Sequence, residues 1–234
     1  MKGELVVMPD NVIENNVVTL LGKIAGKKEF SHEIYGEGFY SYNIEIPRLS
    51  NISDSLPLTI SERLLVDIDL KEGNTVKVEG QLRSYNKFVD GNNRLILTVF
   101  VREIESIDNL QQVKNPNQIM LEGYICKQPG YRETPFGREI TDILVAVNRP
   151  YNKSDYIPCI AWGRNARFSS KLQVGDQIRT WGRIQSRQYQ KKFADGKVID
   201  KVAYEVSISK MEKVEEEVID NEFEGNVIEK SSEE

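Results

Sequence analysis

Three aromatic side chains and three arginines fall in or just beyond the stretch from Asp142 to Ala166: Tyr151, Tyr156 and Trp162 with Arg149, Arg164 and Arg167. A flat ring stacks on an unpaired base and a guanidinium neutralises a phosphate. The mixture suits a flexible polyanion with unstacked bases, which is single-stranded nucleic acid. Tyr156, Pro158, Ile160 and Trp162 recur at a period of two and so share one face of a strand, while Ile157, Cys159 and Ala161 share the other. The second set is small and apolar enough to fill a core, which leaves the aromatic set for a groove. From this stretch alone, an ordinary strand-loop-strand with surface charges fits nearly as well.

Other chemistries are poorly supplied. The single histidine, His32, and the two cysteines, Cys126 and Cys159, stand in no metal-ligand spacing, so neither a metal site nor a Ser-His or Cys-His arrangement is expected. Both cysteines lie in apolar runs and read as reduced, buried thiols. No GxxxxGK[ST] phosphate loop and no carboxylate cluster with a partner occurs, so the sequence points to a protein that is not an enzyme and takes no cofactor. No apolar run nears the roughly 20 residues that span a bilayer. The start, MKGELVVMPD, lacks the apolar core of a secretion signal, and a cytoplasmic protein without membrane contact is expected.

The net charge of −5 hides a strong asymmetry. Residues 1–116 carry −4, residues 117–210 carry +7 and residues 211–234 carry −8. The basic middle is the part that could track phosphates.

The elements that must position these groups occur twice. VVTLLGKI (Val17 to Ile24) and QIMLEGYI (Gln118 to Ile125) align at an offset of 101, with Gly22 on Gly123. The same offset puts Ile44 on Val145, Arg48 on Arg149, Asp54 on Asp155 and Arg63 on Arg164. At 102, Gly73 falls on Gly175, Gly80 on Gly182 and Ser84 on Ser186. Units of about a hundred residues are two homologous domains rather than solenoid repeats. The boundary falls near Val113 to Gln118, which gives domains at 1–114 and 117–211 and a tail at 212–234. Strand patterns dominate each copy, with a hairpin tip at Asp195-Gly196. LLVDIDLKEG and FSSKLQVG predict a short helix after the third strand, closed by Gly73 or Gly175. Five strands with that insert fit an all-β fold: two tandem five-stranded barrels of oligonucleotide-binding type.

The second copy resembles the bacterial single-stranded DNA-binding protein family over nearly all of residues 117–210. The resemblance is carried by LEGYI at 121–125, Pro129, Arg132, Thr134 and Gly137, LVAVNRPY at 144–151 and DYIPCIAWGRNA at 155–166. It continues through VGDQI at 174–178, WGRIQSRQYQKKFADGK at 181–197 and Tyr204-Glu205-Val206. It implies single-stranded DNA as ligand, a role in DNA replication, repair or recombination, and a homodimer presenting four barrels. It also implies stacking aromatics at Tyr151, Tyr156, Trp162 and Tyr189. Arg132, Arg149, Lys153, Arg164, Arg187, Lys191 and Lys192 line the same loops as candidate phosphate contacts.

The first copy resembles the family only in framework. At the offset of 101 the stacking positions 151, 156 and 162 correspond to Ser50, Ser55 and Ser61. Its aromatics gather instead at Phe30, Tyr35, Phe39, Tyr40 and Tyr42. A structural or dimer-forming barrel is favoured, with strand contact through that cluster as the alternative. The tail should be disordered. It resembles the family's acidic tail in charge and placement, through which replication or repair proteins could be recruited, but it ends KSSEE, without the family's terminal acidic-hydrophobic motif. An accessory protein of primosome type, whose barrels chiefly hold other proteins, is the alternative function.

Overall fold

The computed structural model describes residues 14–48, 50, 52–89, 91–107, 115–192, 196 and 198–215. Five strands make the first ring: β1 (Asn16–Ile34), β2 (Glu37–Pro47), β3 (Ser53–Ser61), β4 (Thr75–Val89) and β5 (Asn92–Ser106). β1 is long enough to pair with β2 and β4, and a parallel contact between β3 and β5 closes the barrel. The second ring repeats the plan with β6 (Asn117–Ile125), β8 (Glu139–Arg149), β9 (Lys153–Trp162), β10 (Gln177–Lys192) and β11 (Val198–Lys213). A short strand, β7 (Gly130–Glu133), is added to the edge of β8. The all-β expectation of five-stranded barrels holds.

Alternation decides which residues fill each ring. Along β9, Asp155, Ile157, Cys159 and Ala161 are buried, while Tyr156 and Trp162 are exposed and Pro158 lies between. Leu20, Ile44, Leu58 and Val78 form the matching core of the first ring. Glycine recurs in both copies where backbones approach closely. A Cβ on Gly80 would sit 2.3 Å from the Phe100 carbonyl oxygen, and one on Gly182 would sit 2.2 Å from that of Ser207. Both stand beside the register shifts in β4 and β10, so a larger residue would force the bulged strand off its partner.

The helical inserts are shorter than the sequence suggests, and the glycines do not close them. The first ring has a 3-10 turn at Glu62–Leu65, begun by Ser61, whose hydroxyl accepts from the Arg63 N–H. The second has α1 (Arg164–Ser169). Gly73 and Gly175, both at positive φ, instead donate their N–H groups to the carbonyls of Ile24 and Ile125 at 2.8 Å. They tie the entry of the ring's fourth long strand to the middle of β1 in the first copy and to the end of β6 in the second. At the β10–β11 tip, Gly196 takes a φ of +82° as a hairpin glycine would; Asp195 lies outside the described residues.

The rings are joined in two ways. β1 and β6 pair antiparallel, Val18 opposite Ile119, so one sheet runs through both. A reciprocal polar lock lies beside that seam. Buried Asp54 of β3 holds Arg48 of its own ring, with Nε at 2.8 Å, and reaches the Ser186 N–H at 2.8 Å and Arg183 at 3.2 Å on β10. Buried Asp155 of β9 is paired with Arg149 at 3.2 Å and reaches the Ser84 N–H at 2.6 Å and Arg83 at 3.1 Å on β4. Each ring gives one aspartate and receives one. No helix among the described residues is long and apolar enough to cross a membrane. The acidic tail, from residue 216 on, falls outside the described residues.

Candidate nucleic-acid interface

The outer face of the second ring carries the candidate residues in rows set by strand register. Arg132 on β7 stands opposite Ile140 on β8, and Ile140 stands opposite Trp162 on β9. Opposed residues point to the same side, so the three form one row across three strands. Tyr124 on β6, Ala146 on β8 and Tyr156 on β9 make a parallel row by the same rule. Trp162 and Tyr156 are six residues apart on β9, roughly 20 Å at the usual strand rise. Between them lie Pro158, Ile160 and Leu144, a mainly apolar floor with aromatic rings at its two ends, and the exposed Asp142 opposite Ile160. Trp162, Tyr156 and Tyr124 are 39%, 47% and 37% exposed, so each ring keeps part of its surface in water while its strand is fixed.

Tyr151 stands at the tip between β8 and β9 and is almost fully exposed. Its φ is +63° and that of Asn152 is +53°, both left-handed, within the three-residue loop Pro150-Tyr151-Asn152 that joins Arg149 to its partner Lys153. Asparagine and glycine suit those positions; a tyrosine there is a local cost with no packing in return. The β1–β2 tip is tighter, a two-residue turn between the paired Ile34 and Glu37 with Tyr35 at φ +51° followed by Gly36 at +80°.

The remaining candidates divide into two groups. Tyr189 and Arg187 lie on the β10–β11 arm, with the guanidinium carbon of Arg187 5.8 Å from the Tyr189 ring centre, close enough for a cation–π contact. Lys191 and Lys192 end the same strand. Lys153 opens β9 opposite Arg149, and Arg164 begins α1 with its side chain exposed. Several cations already have carboxylate partners. Arg132 bonds Asp142 at 2.9 Å, Arg187 lies 3.8 Å from Glu205, and Arg167 pairs with Glu139 at 3.1 Å. Hydrogen bonding to Asp142 raises the Arg132 pKa further, so its charge is permanent. Arg149 differs from the rest, because its partner Asp155 is buried and belongs to the lock between the rings.

Tyr124 is the residue that the motif reading passed over. It sits in LEGYI, where neighbouring apolar positions fill the barrel, yet the alternation along β6 turns it outward. In the first ring, Phe39 and Tyr42 of the displaced aromatic cluster are buried and serve the core, whereas Phe30 and Tyr35 are exposed. Tyr40 is half-buried, with the Lys28 ammonium 3.7 Å from its ring centre. Ser61 is buried and donates to Glu37, so it does structural work where the second ring has Trp162.

Residues 116–214 match the family model described as the single-strand binding protein family. Single-stranded DNA-binding protein B of Bacillus subtilis is 33% identical over 81 residues, covering 32% of this chain and 72% of that protein. The single-stranded DNA-binding protein of Oceanobacillus iheyensis is 31% identical over 90 residues, 36% of this chain and 55% of that protein. Across several such relatives the matched region spans about half of their length. Among solved structures, the single-stranded DNA binding protein from Thermus aquaticus superposes with a TM-score of 0.68 at 20% identity. That overlay covers 86% of this chain and 93% of the other, so the likeness of fold extends over both rings.

Proposed function

The chain belongs to the single-strand binding protein family, and from that premise we propose that it is a non-catalytic, sequence-tolerant binder of single-stranded DNA. Its place is in DNA replication, repair or recombination. The observation that carries this reading is the pair of rows on the second ring, a mainly apolar floor framed by Trp162 and Tyr156 with Arg132 in line with Trp162. Bases stack on Tyr156, Trp162, Tyr151 and Tyr189, and phosphates meet Arg132, Lys153, Arg164, Arg187, Lys191 and Lys192. Stacking reads no sequence because every base has a π face.

The division into domains at 1–114 and 117–211 with a tail at 212–234 belongs to the same proposal, as do a homodimer of four barrels and a cytoplasmic, nucleoid-associated location. Arg149 has a share in the lock between the rings as well as a place beside the strand. The test is tryptophan fluorescence on titration with oligothymidylate at low and high salt, in a Trp181→Phe variant that leaves Trp162 as the reporter. Salt-sensitive quenching is expected. A flat titration would remove stacking at Trp162 and favour a barrel that mainly holds other proteins.

A further inference from the structure

Stacking side chains are only as well placed as the backbone that carries them, and the β8–β9 hairpin is held from outside its own ring. β9 pairs with β8 along one edge, while on the other edge its parallel pairing with β11 involves only Cys159 and Ile160. Nearer the hairpin tip, the Tyr156 N–H donates instead to the hydroxyl of Ser84, on β4 of the first ring, at 2.7 Å. The Ser84 N–H in turn donates to buried Asp155, the residue before Tyr156, at 2.6 Å. These two bonds run in opposite directions, so β4 clasps the start of β9 at consecutive residues.

The β8 side of the same hairpin has a grip of its own. The side-chain amide of Asn15, just ahead of β1, donates to the Asn148 carbonyl at 2.8 Å, and Ser154 donates across the hairpin to the Asn148 side chain at 3.2 Å. Between the two grips stands the loop in which Tyr151 and Asn152 take left-handed φ values. Backbone of that kind persists only where its surroundings hold it in place. The repeat supplies a comparison. At the offset of 102 Ser186 falls on Ser84, and at 101 Ser55 falls on Tyr156. The Ser186 hydroxyl accepts from the Ser55 N–H at 3.3 Å, but Ser55 carries no aromatic ring. Asn15 falls on Pro116, whose side chain has no donor to offer the first ring's hairpin. The grip is tighter and doubled on the hairpin that bears the aromatics.

Building on the reading of Tyr151 and Tyr156 given above, we propose that Ser84 and Asn15 are positioning residues for single-strand binding. The first ring holds the β8–β9 hairpin from both sides and sets the two tyrosines against the bases, and neither Ser84 nor Asn15 touches the strand in this role. A hairpin already ordered before the strand arrives does not spend binding energy on its own ordering, which is where the gain in affinity comes from.

The test sets affinity against stability in the full chain, using anisotropy of a labelled oligothymidylate of about 15 nucleotides for the first and urea unfolding for the second. Ser84→Ala removes the acceptor and keeps the N–H that bonds Asp155, while Asn15→Ala removes an exposed amide, so the ion pairs of the seam stay in place. The two changes together should weaken binding about fivefold, near the lower end of what loss of a stacked base costs. Ser186→Ala removes the equivalent hydroxyl and should lower the unfolding midpoint much as Ser84→Ala does, while binding with native affinity. Equal losses of affinity in Ser84→Ala and Ser186→Ala would overturn the proposal, since loosening of the seam would then explain both. In a Tyr156→Ala background, Ser84→Ala should weaken binding no further; a fully additive loss would also overturn it. If the chain with both changes binds as the native chain does while Tyr156→Ala binds weakly, the positioning role falls and stacking stands. If Tyr156→Ala also binds as the native chain does, both fall.

Discussion

Trp162 and Tyr124 present comparable rings to the same face, yet the resemblance implies stacking only for Trp162. Replacing Trp162 by alanine should cost about 1–3 kcal/mol of single-strand affinity, the usual value of a stacked base. Tyr124→Ala should cost an amount of the same order, measured by anisotropy with a labelled oligonucleotide; an unaltered affinity would show that its row is only scaffold. Cys159 gives a second prediction at this level. Burial pushes its thiol pKa far above the ordinary value, chiefly through desolvation. The folded state therefore holds that proton more tightly than the unfolded one does. The resulting stabilisation is complete below the ordinary thiol value of about 8.5 and is lost as pH rises above it. Urea unfolding at about pH 7 and about pH 10 should show a larger alkaline loss in the native chain than in Cys159→Ala, the thiol accounting for the difference. Equal losses would mean that the thiol ionises alike in both states.

Strand pairing turns these residues into surfaces, and the lock between the rings is its clearest product. Asp54 and Asp155 are almost wholly buried, and each joins an arginine of its own ring to a serine N–H and an arginine of the other. Removing one carboxylate leaves two partly exposed guanidiniums and a serine N–H without their shared acceptor. Asp54→Ala should therefore lower stability by about 2–3 kcal/mol, less than for a fully buried pair because the arginines keep contact with water. Asp155→Ala should cost a similar amount, because the two sites are equivalent by the repeat. Chemical denaturation followed through Trp162 and Trp181 would measure both; a loss near zero would mean that the lock contributes geometry and no stability. The repeat itself was legible in the sequence, as was the alternation of β9 that separates core from groove. The exchange was not. Alignment at 101 pairs Arg48 with Arg149 and Asp54 with Asp155, but it cannot reveal that each aspartate spends its remaining lone pairs on the opposite ring. Such contacts have no period. Tyr124 was missed for a related reason: in a strand that also builds the barrel, motif resemblance does not distinguish inward from outward positions, whereas register does. The helical inserts stop short of Gly73 and Gly175 because the N–H groups of those glycines serve β1 and β6 rather than a helix end.

Charge organises the molecule as a whole, and it makes the last prediction depend on where the second ring ends. β11 continues to Lys213, whose ammonium lies 2.7 Å from Asp176, and the Val214 N–H bonds the Gln177 carbonyl at 2.9 Å. A truncation at 212 would strip that edge and confuse a charge effect with damage to the barrel, so the segment to remove is 216–234. It carries eight acidic residues and one lysine, a charge of −7 set against the +7 of residues 117–210. A tethered polyanion competes with DNA for the same cations at a high effective concentration. Deletion should then raise single-strand affinity several-fold where the Debye length exceeds about 10 Å, and the gain should vanish in high salt. The dependence of affinity on salt should also steepen, since cations no longer occupied by the tail bring counterion release back into DNA binding. Titrations of the full and shortened chains across a salt series would test both consequences together. If affinity and slope are unchanged, the tail does not screen the basic face, and the second ring's charge is open to DNA at all times.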